Sequence, residues 1–139
     1  MILPGNMVFC DTSFFFASLC THDSNYGKAG RLLEYCRENQ VALYTTWDVI
    51  SETVTLLRYR AGYALAIEFL DIVKPSLAII SYDESVRIAA EEIFRKFSQD
   101  KRLSFCDAIS HVVITHLLDN IPCFSFDRDF IGLGLTVFP

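Results

Sequence analysis

The stretch MVFCDTSFFFASL, residues 7–19, places its one charged side chain, Asp11, between two apolar runs. Met7–Cys10 reads as a buried strand, too short and too uniformly apolar for a half-exposed one. Thr12–Leu19 reads as the helix that follows it. A strand that feeds a helix through a single carboxylate sets the pattern for the whole chain, because the same alternation recurs downstream.

Outward from that junction, Ser24–Glu38 has helical spacing, with Ala29, Leu32, Leu33 and Cys36 on one stripe. Val41–Tyr44 is a second short strand. Thr46–Leu57 and Tyr63–Ile72 are helices, the latter closed by Pro75. Leu77–Ile80 is a third strand. Asp83–Phe97 is the clearest amphipathic helix, with Val86, Ala90, Ile93, Phe94 and Phe97 on its apolar side. Ser104–Leu118 is an apolar helix expected in the middle of the fold, and Pro122–Ser125 and Leu135–Phe138 are the last strands. Strands alternating with helices predict an α/β fold with a parallel sheet covered on both faces, since each parallel crossover needs a connecting element. Sites in such sheets form beyond the carboxyl ends of the strands. Asp11 ends the first strand and Asp127 follows the fourth.

The bulk numbers agree with one globular domain over residues 1–139. The chain has 139 residues, 52% of them apolar, with 12 Phe and 6 Tyr. No apolar run reaches the ~18 residues of a membrane span, and no leader pattern precedes Met7, so a cytoplasmic protein is expected. The five cysteines form no C-x-x-C pair, which argues against a disulfide framework or a thiolate zinc site. Cys106 stands beside Asp107 with no histidine at a useful spacing before it. A net charge of −5 argues against nucleic-acid binding through bulk charge, but not against a metal that reverses the sign of an acidic pocket. The P-loop, dinucleotide and zincin motifs are absent.

Four acids sit awkwardly. Asp11 has a structural reading as the cap of the helix after it. Glu52 has Asp48, Val49, Thr55 and Leu56 at helical distance, none a cation, so the usual salt-bridge explanation fails. Asp107 lies in LSFCDAISHVV, where Ser104 three residues earlier suggests a capping box and His111 offers a second partner. Asp127 and Asp129 lie in FSFDRDF, which also reads as an Asx-type turn or helix cap. Gathered in one pocket, such acids repel strongly: two charges about 4 Å apart at an effective dielectric near 20 cost roughly 4 kcal/mol. Only protons or divalent cations make that tolerable, and oxygen-only ligands favour Mg²⁺ or Mn²⁺ over zinc.

The four segments, VFCDTSFFFASL, VISETVTLL, LSFCDAISHVV and FSFDRDF, in this order resemble the PIN domain family, in particular its small toxin ribonucleases of the VapC type. Ser125 stands where a threonine is more frequent, and the hydroxyl is retained. The resemblance implies a three-layer α/β/α sandwich around a five-stranded parallel sheet in the order 3-2-1-4-5. It implies divalent-metal-dependent RNA hydrolysis at Asp11, Glu52, Asp107 and Asp127, with Mg²⁺ or Mn²⁺ as cofactor. Ser13, Ser125 and Asp129 are supporting candidates, and either Asp127 or Asp129 serves as the fourth acid. Arg58, Arg60, Lys101 and Arg102 are candidates for phosphate contacts at the rim, with solvated helix ends and loops as the plainer reading. The implied partners are RNA, an antitoxin protein laid across the site and a second copy of the chain in a homodimer, with no membrane. Two other readings remain. A haloacid-dehalogenase-like phosphatase needs a second acid two residues after the first, where Ser13 stands. A catalytically inactive PIN-fold RNA-binding or scaffold module would show no metal-linked stabilisation.

Overall fold

Val8, Phe9 and Cys10 have no solvent exposure, which makes Met7–Cys10 (β1) the natural centre of a sheet. In the computed structural model, which describes residues 2–138, β1 pairs in parallel with Ala42–Thr45 (β2) on one side and Cys123–Phe124 (β4) on the other. Ala78–Ile79 (β3) adds outside β2, and Val137–Phe138 (β5) outside β4, giving the order β3-β2-β1-β4-β5. This is the expected sheet, with β3, β4 and β5 shorter than expected: Leu77, Ile80, Pro122, Ser125, Leu135 and Thr136 fall outside the ladder.

The connecting helices are Thr12–Leu19 (α1), Tyr26–Glu38 (α2), Trp47–Arg60 (α3), Tyr63–Glu68 (α4), Glu84–Phe97 (α5), Phe105–Val112 (α6) and Arg128–Ile131 (α7). Caps set several starts: Asp11, Thr46, Asp83, Ser104 and Asp127 each accept an amide hydrogen bond from the first turn of the helix they precede. Two helices end differently from expectation. α4 widens into a π turn over Phe69–Val73, and α6 into another over Val113–Leu117. In α6 the Thr115 hydroxyl donates to the His111 and Val112 carbonyls at 2.9 and 3.4 Å, competing with the regular ladder where it widens. Beyond the first widened turn, Pro75 lacks the amide that would prolong the helix.

Aromatic rings from α1 and the sheet form the centre of the core. Phe14 lies 4.9 Å from Phe124 and Phe15 lies 5.2 Å from Phe69, between ring centroids, and all four rings are buried. That packing holds the β1–α1 junction rigidly. Asp11 therefore has a fixed place at the carboxyl edge of the sheet. Among the described residues, no helix is long and apolar enough to cross a membrane.

Candidate active site

The site begins with the backbone. The Asp11 amide donates to the Phe124 carbonyl at 3.3 Å, tying the end of β1 to β4. Its carboxylate is 3% exposed and accepts three hydrogen bonds. Oδ1 takes the Phe14 amide at 3.0 Å and the Ser13 hydroxyl at 2.8 Å, and Oδ2 takes the Ser125 hydroxyl at 2.5 Å. The same hydroxyls accept in turn: Ser13 Oγ from the Phe126 amide at 2.9 Å, and Ser125 Oγ from the Asp127 amide at 3.1 Å. Ser13 and Ser125 thus stitch the β4–α7 loop to the β1–α1 junction and hold Asp11 between them. The structural reading of Asp11 as a cap is correct, and it leaves the acid in the hollow.

Asp107 is likewise both cap and acid. It forms the capping box with Ser104: its amide donates to Ser104 Oγ at 3.0 Å, and its Oδ2 accepts the Ser104 amide at 3.2 Å. The alternative partner, His111, points elsewhere, its Nε2 lying 3.2 Å from the Leu133 carbonyl oxygen. Asp127 caps α7 through its Oδ1, which accepts the Asp129 amide at 2.9 Å.

Burial raises the Asp11 carboxyl from 3.8 to about 6, with repulsion from Asp127 adding to it and the three hydrogen bonds opposing. Burial also raises Asp107 from 3.8 to about 7, with Asp11 and Asp127 repelling it and the Ser104 bonds opposing. Asp127 therefore acts on both buried carboxyls, and Asp11 acts on Asp107. Asp129 lies in the first turn of α7 with its amide donated to Asp127.

Glu52 approaches from α3. It lines a cavity of about 620 Å³ with Asp48, Tyr59, Arg60, Cys106 and Ile109 among the other walls. Cys106 connects the two groups: burial raises its thiol, and repulsion from Glu52, Asp107, Asp48 and Asp11 raises it further. Asp48 is the residue that sequence reasoning missed. It stands one turn before Glu52 on the same helix, a spacing visible in TTWDVISETV, and that spacing was the available signal.

Among the described residues, none of these acids is in an ion pair. The ion pairs among the described residues join Arg37 to Glu34, Arg87 to Glu84, and Arg95 to Glu91 and Glu92, all on exposed helix faces. Arg60 lines the cavity beside Glu52, whereas Arg58 and Arg102 are exposed and the Lys101 ammonium sits over Gly132.

Among the described residues, no three Asp, Glu, His or Cys side chains are gathered closely enough to hold a metal ion together. The donors nevertheless suit a hard dication that keeps most of its water, as Mg²⁺ does when one or two carboxylates hold it. They are carboxylates and hydroxyls, burial desolvates Asp11 and Asp107, and among the described residues no cation is ion-paired with either. Zinc, which is held almost always by four close protein ligands in structural sites, fits poorly.

The fold and the family match define the class. The chain belongs to the PIN domain family, whose model matches residues 8–134. It is 30% identical over 123 residues to a VapC ribonuclease of Archaeoglobus fulgidus, a match covering 86% of this chain and 76% of the relative. It is also similar in structure to VapC20 of Mycobacterium tuberculosis, a sarcin–ricin loop cleaving toxin, with a TM-score of 0.79 and 27% identity over 92% of this chain and 95% of the other. FitAcB from Neisseria gonorrhoeae shares the fold, with a TM-score of 0.70 at 15% identity over 96% of this chain and 97% of the other.

Proposed function

We propose that this chain is an endoribonuclease toxin that hydrolyses RNA phosphodiester bonds with Mg²⁺ or Mn²⁺ at the hollow formed by Asp11, Glu52, Asp107 and Asp127. The observation that carries the reading is the pair of buried carboxyls, Asp11 and Asp107, raised to about 6 and about 7 with no cation beside them. A protein with no use for a positive ion there would be more stable with neutral side chains in those places. The A. fulgidus and M. tuberculosis relatives support RNA as the substrate class and toxin as the role.

In this reading Asp11 and Asp107 hold the ion, and Asp127 and Glu52 complete the negative wall, directly or through water. The ion supplies Lewis acidity toward water and the phosphate oxygens. Ser13 and Ser125 keep the Asp11 oxygens aimed by donating to them. Asp129 supports the Asp127 cap through its amide. Phe14, whose amide donates to Asp11, packs its ring against Phe124 and Phe126, so apolar surface adjoins the Asp11 carboxylate and strengthens its charge interactions. A restraining antitoxin is part of the same proposal: a peptide bearing an arginine would meet the uncompensated carboxylates with a charge-assisted, bidentate contact.

The test is RNA cleavage by the purified chain with Mg²⁺ or Mn²⁺. Asp11→Asn and Asp107→Asn are expected to remain folded and lose cleavage by more than about 100-fold, the scale of removing a principal electrostatic contribution. Undiminished cleavage in either variant, or with excess chelator, removes the proposal.

A further inference from the structure

Next to the acidic hollow, beyond the carboxyl ends of β2 and β3, lies a corner that the four acids do not explain. We propose that it binds one unpaired nucleobase of the RNA, stacked on Trp47, with Lys74 and Arg87 beside it to meet the flanking phosphates. This inference rests on the ribonuclease reading and names a subsite for its substrate.

Trp47 is the only tryptophan in the chain and the first residue of α3, yet it is 55% exposed. Leaving so large a ring in water forfeits burial that the core would otherwise gain. The Lys74 ammonium lies 5.4 Å from the ring centroid. Beside the ring is a recess of about 360 Å³, lined by Asp48, Ser51, Ile80, Tyr82 and Arg87 as well as Trp47. That is the small end of the range of ligand pockets, suited to one flat ring system rather than a folded motif.

The opposite wall is fixed in place. The Tyr82 hydroxyl donates to Asp48 Oδ2 at 2.5 Å, and Arg87 lies 5.7 Å from the Tyr82 ring centroid while pairing with Glu84 at 3.0 Å. Asp48 and Ser51 line both this recess and the cavity beside Glu52, so the two spaces adjoin across one helical turn. Along the sheet edge, Tyr82 follows β3, Trp47 follows β2, Asp11 follows β1 and Asp127 follows β4. A single strand crossing that edge with a phosphate at the acids lays a neighbouring base on Trp47. Cations that track the backbone and an aromatic face that takes the base are the two parts of single-strand recognition. An acidic protein needs such a local device, because its bulk charge repels RNA.

Trp47 also reports on its own site. The full chain, with EDTA present to prevent turnover, is titrated with single-stranded hexa-adenylate and with an abasic ribose-phosphate hexamer, following tryptophan fluorescence. Hexa-adenylate is expected to quench Trp47 and the abasic hexamer to leave it unchanged. Trp47→Leu should bind hexa-adenylate about 5- to 150-fold more weakly, read by polarisation of a labelled oligonucleotide, and Trp47→Phe should retain most of the affinity. In Mg²⁺-dependent cleavage, Trp47→Leu should raise KM rather than abolish kcat, unlike Asp107→Asn. Unchanged affinity in Trp47→Leu, or equal quenching by the abasic hexamer, overturns the inference, leaves the ribonuclease reading intact and gives the exposed ring to a protein partner. A wild-type chain that neither binds the hexamer nor cuts any RNA sinks both.

Discussion

Asp11 accepts three hydrogen bonds and still has its carboxyl raised to about 6, so burial outweighs good donors at this position. Asn is nearly isosteric, and its amide can donate to Ser125 Oγ while its carbonyl keeps the Phe14 amide. Asp11→Asn is therefore expected to stabilise the metal-free fold at pH 8 by on the order of 3 kcal/mol, the linkage value of moving the carboxyl from 3.8 to about 6. The sign is definite. A raised carboxyl contributes stability below its unfolded value and loses it as pH rises through its folded value. The gap between variant and wild type should accordingly be small near pH 4, open through pH 6, and be flat by pH 8 in urea melts. A gap that shrinks as pH rises contradicts this assignment. Single residues were also where legibility varied most. Asp11, Asp107 and Asp127 are visible as lone acids beside apolar elements. Asp48 is legible as the neighbour of Glu52 one turn away, but its hydrogen bond from Tyr82, 34 residues away in the chain, is not.

At the scale of elements, α6 begins with a box that serves stability and the site at once. Ser104→Ala removes the hydroxyl that accepts the Asp107 amide and should cost about 1 kcal/mol in chemical denaturation. It should also lower cleavage, because the first turn that aims Asp107 loosens. Gly62 is the second sensitive point. It joins α3 to α4 at φ 106° and ψ 165°, a conformation open almost only to glycine. Gly62→Ala should destabilise by about 1–3 kcal/mol, although no neighbouring atom lies within 4 Å of the added methyl. The existence and order of α1 to α6 were readable in the sequence. The π turns were not, because periodicity reports a buried face and says nothing of where a hydroxyl such as that of Thr115 takes a carbonyl from the ladder. The short helix Arg128–Ile131 is too brief to show a period, and only its capping aspartate is visible in FSFDRDF.

For the whole molecule, the metal proposal makes a prediction that does not depend on finding the right RNA. An ion that binds only the folded state at about 100 times its Kd adds about 2.7 kcal/mol, or roughly 10 °C in melting temperature for a chain of this size. Mn²⁺ should raise the wild-type transition in this way at pH 7.5, and Asp107→Asn should respond much less. A wild-type transition that ignores Mn²⁺ would favour the scaffold reading. The order of strands was expected only through the family resemblance, since alternation of strands and helices implies a parallel sheet but not which strands are neighbours.

The Ser125–Asp11 hydrogen bond joins side chains 114 residues apart, across a sheet whose central strand is the first of the five along the chain and whose inner neighbour β4 is the fourth. A nascent chain therefore carries a bare β1 edge until β4 leaves the ribosome. The carboxylates of Asp11 and Asp127 cannot converge before then, so the hollow is assembled only once both ends of the sheet's central pair have been made.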